Sequence, residues 1–179
     1  MIDEAGEAAR AAGQLVEVVT ADGTVVDVIT RAQLRQTGAR HRCTYVVVVR
    51  SSGHVVVHQR AAWKDVSPSA WDLAFGGLCD VGEGWLQAAR RELAEEAGIT
   101  DVPLIDLGDV AWEGNGTALV GRVFVAVSDG PVRPADGEVV AVDEVPLVDL
   151  GRWMAGRLMV DDTPEVVPPL LRRWAASTG

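Results

Sequence analysis

The chain is poor in the residues that mark several functional classes. It has two cysteines in 179 residues, Cys43 and Cys79. That number builds neither a disulfide framework nor a zinc cluster, so two free thiols in a reducing cytoplasm are expected. Lys64 is the sole lysine, and basic residues total 16 against 26 acidic ones, for a formal net charge of -10. Such a field repels polyanions and argues against a nucleic acid polymer as partner. A small phosphorylated ligand remains compatible, because a bound cation and a few arginines can reverse the field locally. Long apolar runs are also missing. The longest, residues 45–49, is strand-sized, so no membrane span is expected. Residues 1–13 are acidic and alanine-rich and lack a basic stretch leading into an apolar one, so no secretory signal is expected.

What is present suits one soluble domain. Residues 1–13 are expected to be a frayed or loosely docked tail, and residues 14–179 a single domain with a core of its own. Runs 15–19 and 24–29 flank Ala21-Asp22-Gly23, a hairpin signal. Thr30 and Gln33 form a capping-box pattern for a short helix that Gly38 stops. Valine-rich runs 44–49 and 55–59 read as buried strands around a second turn. A loop at 61–70 leads to a short strand at 71–75 and then to Gly76-Gly77. A helix is expected over 84–97, ended by Gly98. Strands at 102–112 and 119–127, a loop over 133–137, and a strand at 139–145 follow. Helices at 149–157 and 164–176 close the chain, with Pro168 and Pro169 kinking or splitting the last. The pattern predicts an α/β fold with a central mixed sheet packed between helices.

The 84–97 helix carries the chemistry. Leu86, Ala89, Leu93 and Ala97 recur at helical spacing and are expected to face the core. Glu92, Glu95 and Glu96 stand at i, i+3 and i+4 and project from one side. A solvated charged stripe is the plain reading of such a pattern. Two features speak against it. Arg91 can pair with Glu95 but cannot neutralise three carboxylates, and Glu83 and the Gly76-Gly77 turn stand just upstream. Clustered hard oxygen donors suit Mg²⁺ or Mn²⁺, and a glycine turn lets a backbone carbonyl join them.

Residues 77–99 resemble the box of the Nudix hydrolase family. Gly77 is followed by five residues, Glu83, seven residues, and then Arg91-Glu92-Leu93-Ala94-Glu95-Glu96-Ala97-Gly98-Ile99. Every specified position is met. The resemblance implies an α/β/α sandwich and metal-dependent hydrolysis of a diphosphate linkage in a nucleoside diphosphate derivative or similar small diphosphate. It implies Glu95 and Glu96 as main metal ligands, with Glu92 as base or further ligand. Arg91 would hold these glutamates, Glu83 would be a supporting carboxylate, and Gly77 would offer its carbonyl. Glu138 resembles a further glutamate of the family, although a solvated glutamate at a sheet edge explains it as well. A homodimer is compatible with this reading.

Outside the box, Asp22-Gly23, Arg31, His41-Arg42, Arg60, Lys64, Pro68 and Trp71-Asp72 look like the isopentenyl-diphosphate-isomerase-like branch, which holds isomerases and hydrolases. An isomerase of that branch needs a cysteine directly before the box glycine, and here Gly76 stands there. Its several histidine ligands are also missing apart from His41. Hydrolysis is therefore expected, with isomerisation or a non-catalytic ligand-binding module as alternatives. Arg60 and Lys64 are candidates to meet substrate phosphate, with surface ion pairing as the alternative. Trp63, Trp71 and Trp112 are candidates to stack on a base, with core packing the simpler role.

Overall fold

Two-sided burial of one valine-rich strand organises the molecule. In chain order, the computed structural model contains α1 (Glu4–Gly13), β1 (Leu15–Val19), β2 (Val25–Thr30), α2 (Arg31–Thr37), β3 (Arg40–Val49), β4 (His54–Arg60) and β5 (Trp71–Asp72). There follow α3 (Trp85–Ala97), β6 (Leu104–Gly114), β7 (Thr117–Val127), β8 (Val139–Pro146), α4 (Leu150–Met154) and α5 (Thr163–Thr178). The structure describes residues 4–134 and 137–178. The first three residues of the expected tail and residues 135–136 of the expected 133–137 loop lie outside them.

Along β3, Cys43, Tyr45, Val47 and Val49 join one core, and Val46 and Val48 join the other. The first core is closed by Leu34 of α2 and by Val166, Val167, Leu170 and Leu171 of α5. The second is closed by Ala89, Leu93 and Ala97 of α3. Helices thus cover both faces, as expected for an α/β/α sandwich. The sheet is mixed: β3 pairs β7 in parallel over its whole length, while β1–β2, β4–β8 and β6–β7 are antiparallel. Each fully buried valine contributes roughly 1.5–3 kcal/mol, which favours this register over any one-residue slip.

One irregularity positions the site. β3 pairs with β4 only at Val48 and Val49, and the two strands then part. The segment after β5 fills the gap. Val46 N–H donates to Phe75 O at 2.7 Å, Thr44 N–H to Gly77 O at 2.9 Å, and Cys79 N–H to Arg42 O at 3.0 Å. The glycine turn is thereby fixed to the middle of the sheet, directly before α3.

Several local expectations hold. Thr30 and Gln33 form the reciprocal capping box of α2, and Gly38 and Gly98 end α2 and α3 with φ of 64° and 65°. Others are corrected. Within the expected tail 1–13, residues 4–13 form helix α1, an element the sequence pattern did not assign. The strand expected at 71–75 is regular only at Trp71–Asp72, because the chain then turns to meet β3. The helix expected at 149–157 is a 3₁₀ turn, Leu147–Asp149, followed by the short α4. Pro168 and Pro169 do not split α5; Asp162 Oδ1 accepts the Thr163 N–H at 2.9 Å, and the buried side chains hold the helix to the sheet. Leu86 is 46% exposed rather than in the core. No helix among the described residues is long and apolar enough to cross a membrane.

Candidate active site

The rotation of α3 about its axis separates the three glutamates that share one side in the sequence pattern. Glu92 and Glu96 are buried, at 9% and 3% exposure. Glu95, one step round, has a half-exposed side chain. The two buried carboxylates lie under the glycine turn. Gly76 N–H donates to Glu96 Oε2 at 2.9 Å. A Cβ on Gly77 would stand 2.8 Å from Glu92 Oε1, so a larger residue there would push that carboxylate aside.

Arg91 gathers the remaining acids. Its Nε and Nη2 bond the two oxygens of Glu83 at 3.0 and 2.9 Å, and its Nη1 bonds Glu92 at 2.8 Å and Glu95 at 3.2 Å. Nη2 also donates to the Leu78 carbonyl at 3.0 Å. Glu83 takes the Asp80 N–H at 2.9 Å as well. Burial alone would raise the Glu83 carboxyl; the bonds from Arg91 and Asp80 and the field of Arg42 overcome it and hold the group below its ordinary value. Glu92 and Glu96 move the other way. Burial pushes Glu92 up against the pull of Arg91. Burial and the neighbouring charge of Glu92 push Glu96 up further, opposed by Lys64 and the Gly76 N–H.

Two adjoining buried carboxyls with raised affinity for protons form a donor set short of positive charge. Hard oxygen donors of this kind fit Mg²⁺ or Mn²⁺. Among the described residues no three His, Cys, Asp or Glu side chains converge on one point. The reason is Arg91, which draws Glu83, Glu92 and Glu95 to itself.

Gly76, Gly77, Arg91, Glu92, Glu95 and Glu96 line one end of a cavity of about 430 Å³; Glu83, bonded to Arg91, is not among its lining residues. Its walls include Arg31, Arg60, Lys64 and Glu138. Lys64 is buried and ion-paired with Glu138, so ion pairing, the alternative the sequence left open for it, is present at the cavity wall. Arg60 donates to the Val66 carbonyl at 3.2–3.3 Å. Trp112 lines the cavity. Trp71 is corrected: it is not among the lining residues, and packs edge-on against Trp153 with ring centroids 5.1 Å apart. Trp63 lies in a smaller neighbouring hollow, with Lys64 Nζ 5.7 Å from its ring centre. His41 is buried with Nδ1 3.1 Å from the Ala39 carbonyl, and burial lowers it to about 4, so it is neutral near pH 7. Burial pushes the Cys79 thiol up to about 12 and raises Cys43 well above its ordinary value, so neither supplies a thiolate.

Other groups in the cavity escaped the sequence reading. Arg35 joins Arg31 in gripping Asp65; their i, i+4 spacing on a capped helix was the available signal. Tyr45 donates to Asp162 Oδ2 at 2.6 Å across 117 residues of sequence. Asp72 is buried nearby, with its carboxyl raised by that burial. No local pattern announces Asp162, and Asp72 was marked out only with Trp71 in the resemblance, not as an acid of this cavity.

Residues 39–164 match the NUDIX domain family. A Nudix hydrolase of Yersinia pestis is 37% identical over 157 residues, covering 88% of this chain and 81% of that protein. A crystal structure from Deinococcus radiodurans has a TM-score of 0.75 at 22% identity, over 89% of this chain and 98% of its own. The Nudix domain of Shewanella oneidensis NrtR, complexed with ADP ribose, has a TM-score of 0.63 at 18% identity, over 82% and 99%.

Proposed function

Because this chain belongs to the Nudix hydrolase family, we propose that it cleaves the diphosphate linkage of a small nucleoside diphosphate derivative with Mg²⁺, or Mn²⁺ in its place. The observation that carries this reading is the buried pair Glu92 and Glu96, held under Gly76-Gly77 at the end of a cavity whose walls are rich in arginine.

Glu83, Glu92, Glu95, Glu96 and the Gly77 carbonyl are the groups that would hold the cation. When bound, it offsets the charge that builds on the diphosphate oxygens as the P–O bond breaks. Arg91 keeps the glutamates in register while leaving Glu96 outside its reach. Glu92, lying against Gly77, takes the proton of the attacking water. The water oxygen forms the new bond to phosphorus, the bridging P–O bond breaks, and its electron pair leaves with the departing phosphate. Arg60 and Lys64 line the same cavity and would meet substrate phosphate oxygens.

Two facts support a nucleotide-sized substrate. The cavity volume of about 430 Å³ suits a ligand of that class, and the Shewanella domain holds ADP ribose in the same fold. Isomerisation finds no support. The cysteine it needs belongs at Gly76, where a Cβ would stand 2.0 Å from the Thr44 carbonyl oxygen.

The test follows, by chromatography, the release of phosphomonoester products by wild type and Glu96→Gln with Mg²⁺ or Mn²⁺. The panel spans nucleotide sugars, dinucleotides, nucleoside triphosphates and prenyl diphosphates. Metal-dependent release from a nucleotide derivative by wild type, lost in Glu96→Gln, is expected. A wild type inert toward every member, or indifferent to metal removal, would sink the reading.

A further inference from the structure

Resting on that reading of α3, we propose that Glu17 of β1 and Arg42 of β3 are positioning residues. They clamp the 80–84 loop so that Glu83 meets Arg91 and the α3 glutamates are held ready for the metal.

Glu17 is 8% exposed, and both of its carboxylate oxygens are used. Oε1 accepts the Gly82 N–H at 2.8 Å, and Oε2 accepts Arg42 Nη1 at 3.1 Å. The same Arg42 nitrogen donates to the Glu83 carbonyl at 3.0 Å. The Arg42 guanidinium lies over Trp85, 4.1 Å from its ring centroid, and Trp85 is the first residue of α3. Two side chains therefore reach the turn of the loop, the backbone of its glutamate and the start of the helix. A further tie runs from Gln14 Nε2 to Asp80 Oδ1 at 2.9 Å.

The loop needs such ties. Gly82 has φ of 74°, a left-handed turn that glycine enters freely and as freely leaves. α3 has no side-chain cap at its N-terminus, so the helix does not itself fix the chain that enters it. A charged acceptor for the Gly82 amide is stronger than a neutral one, and its low exposure limits competition from water. The path runs onward through the Asp80 N–H on Glu83 and the two-point bond from Glu83 to Arg91. It ends at Glu92 and Glu95. β1 precedes the matched region 39–164, so Glu17 reaches the box from a part of the chain outside that region, while Arg42 lies within it.

The experiment compares full-length wild type, Glu17→Gln and Arg42→Lys. Glutamine keeps the size of Glu17 but removes the charge; lysine keeps the charge of Arg42 but cannot bridge to Glu83 while covering Trp85. The readouts are Mn²⁺ binding alone by calorimetry, hydrogen exchange of the 80–84 amides, kcat and KM separately, and the melting temperature. Supporting interactions around metal ligands are worth about 10- to 100-fold in affinity or activity. Glu17→Gln is expected near the lower end, with faster exchange at 80–84, a fall mainly in kcat, and melting close to wild type. Arg42→Lys is expected to follow in the same direction. If Glu17→Gln fails to fold, Arg42→Lys and Gln14→Ala carry the same expectation. Unchanged Mn²⁺ affinity together with unchanged exchange at 80–84 would overturn the proposal and leave Glu17 as an anchor of β1 alone. A wild type that binds no Mn²⁺ would fault the metal reading by that result, and the exchange of 80–84 would still decide the role of Glu17.

Discussion

Arg91 and Glu83 face each other fork to fork, with Nε 3.0 Å from Oε1 and Nη2 2.9 Å from Oε2. This geometry fixes the guanidinium plane as well as its distance. The edge left over then points Nη1 at Glu92 and Glu95. Glu83 thus sets the orientation of Arg91, and Arg91 sets that of two carboxylates on its own helix.

Arg91→Lys should therefore be far from conservative. An ammonium retains the charge but not the fork, so it can satisfy Glu83 or the α3 glutamates but not hold both in register. A loss in kcat/KM of about 10- to 100-fold is expected, with Glu83→Gln similar, since both cut the same link. A steady-state comparison of the two single variants and the double variant checks this. Losses that simply add would show that the residues act separately.

Part of this site was legible in the sequence because its logic is local. Glu92, Glu95 and Glu96 lie on one helix, where spacing dictates proximity, while Gly77, Glu83 and Arg91 were marked out by the resemblance of residues 77–99 to the family box. The caps at Thr30, Gly38 and Gly98 were legible for the same reason. Long-range relationships were not. Spacing could not say that Glu96 turns inward while Glu95 faces out, because that depends on how α3 rests on β3. It put Leu86 in the core, where Glu92 and Glu96 instead take part of the buried face. Trp71 could stack on a base or, more simply, pack in the core, and only the position of α4 shows that Trp153 packs against it. The partnerships of Glu17 with Gly82 and Tyr45 with Asp162 come from chain crossings that no short pattern records.

Glu96→Gln should separate function from stability. The wild-type carboxylate is buried beside Glu92, whose charge adds to burial in raising it. An amide oxygen can still accept the Gly76 N–H, so the turn keeps its anchor. Turnover should fall at least about 100-fold if this residue holds the metal. The metal-free melting temperature should rise, by ~2–4 °C for each kcal/mol of repulsion relieved in a chain of this size. Calorimetry without metal is the check, and a lower melting temperature would mean that the two acids are not in conflict.

The buried histidines predict a loss of stability in acid. Burial lowers His58 from 6.5 to about 3, aided by Arg60 and Lys64 and opposed by Glu138; His41 falls to about 4. Between pH 6.5 and those values the unfolded chain binds protons that the folded chain refuses, so stability drops as pH falls. Each group contributes ~1.4 kcal/mol per pH unit well inside that window. Buried acids such as Asp72 and Asp162, whose folded values are raised, act with the opposite sign. The useful quantity is therefore the difference between wild type and His58→Gln. Urea unfolding from pH 6.0 to 4.5 should show the wild-type advantage shrinking by about 2 kcal/mol. A constant difference would mean that His58 is charged, or accessible, in the folded state.

Gly76 carries the sharpest test of reaction type. A cysteine there is the first of several residues the chain would need to approach an isomerase. The fold resists it. A Cβ at Gly76 would sit 2.0 Å from the Thr44 carbonyl oxygen and 3.2 Å from the Tyr45 Cα. Both belong to the backbone of β3, which is paired in parallel with β7 at these residues and cannot yield as a side-chain tip would. The turn must move instead. Moving it pulls the Gly76 N–H from Glu96 and shifts Gly77 against Glu92. Gly76→Ala should already cost about 1–3 kcal/mol, the usual penalty for overpacking, with a large fall in hydrolysis. Gly76→Cys should do the same without any gain of isomerisation, because the thiol arrives only in a distorted turn. Unfolding curves and assays of both reactions on the two variants decide the matter. A Gly76→Cys protein as stable and as active as wild type would show that the turn moves freely, and then the residue at 76 would no longer separate a hydrolase from an isomerase in this chain.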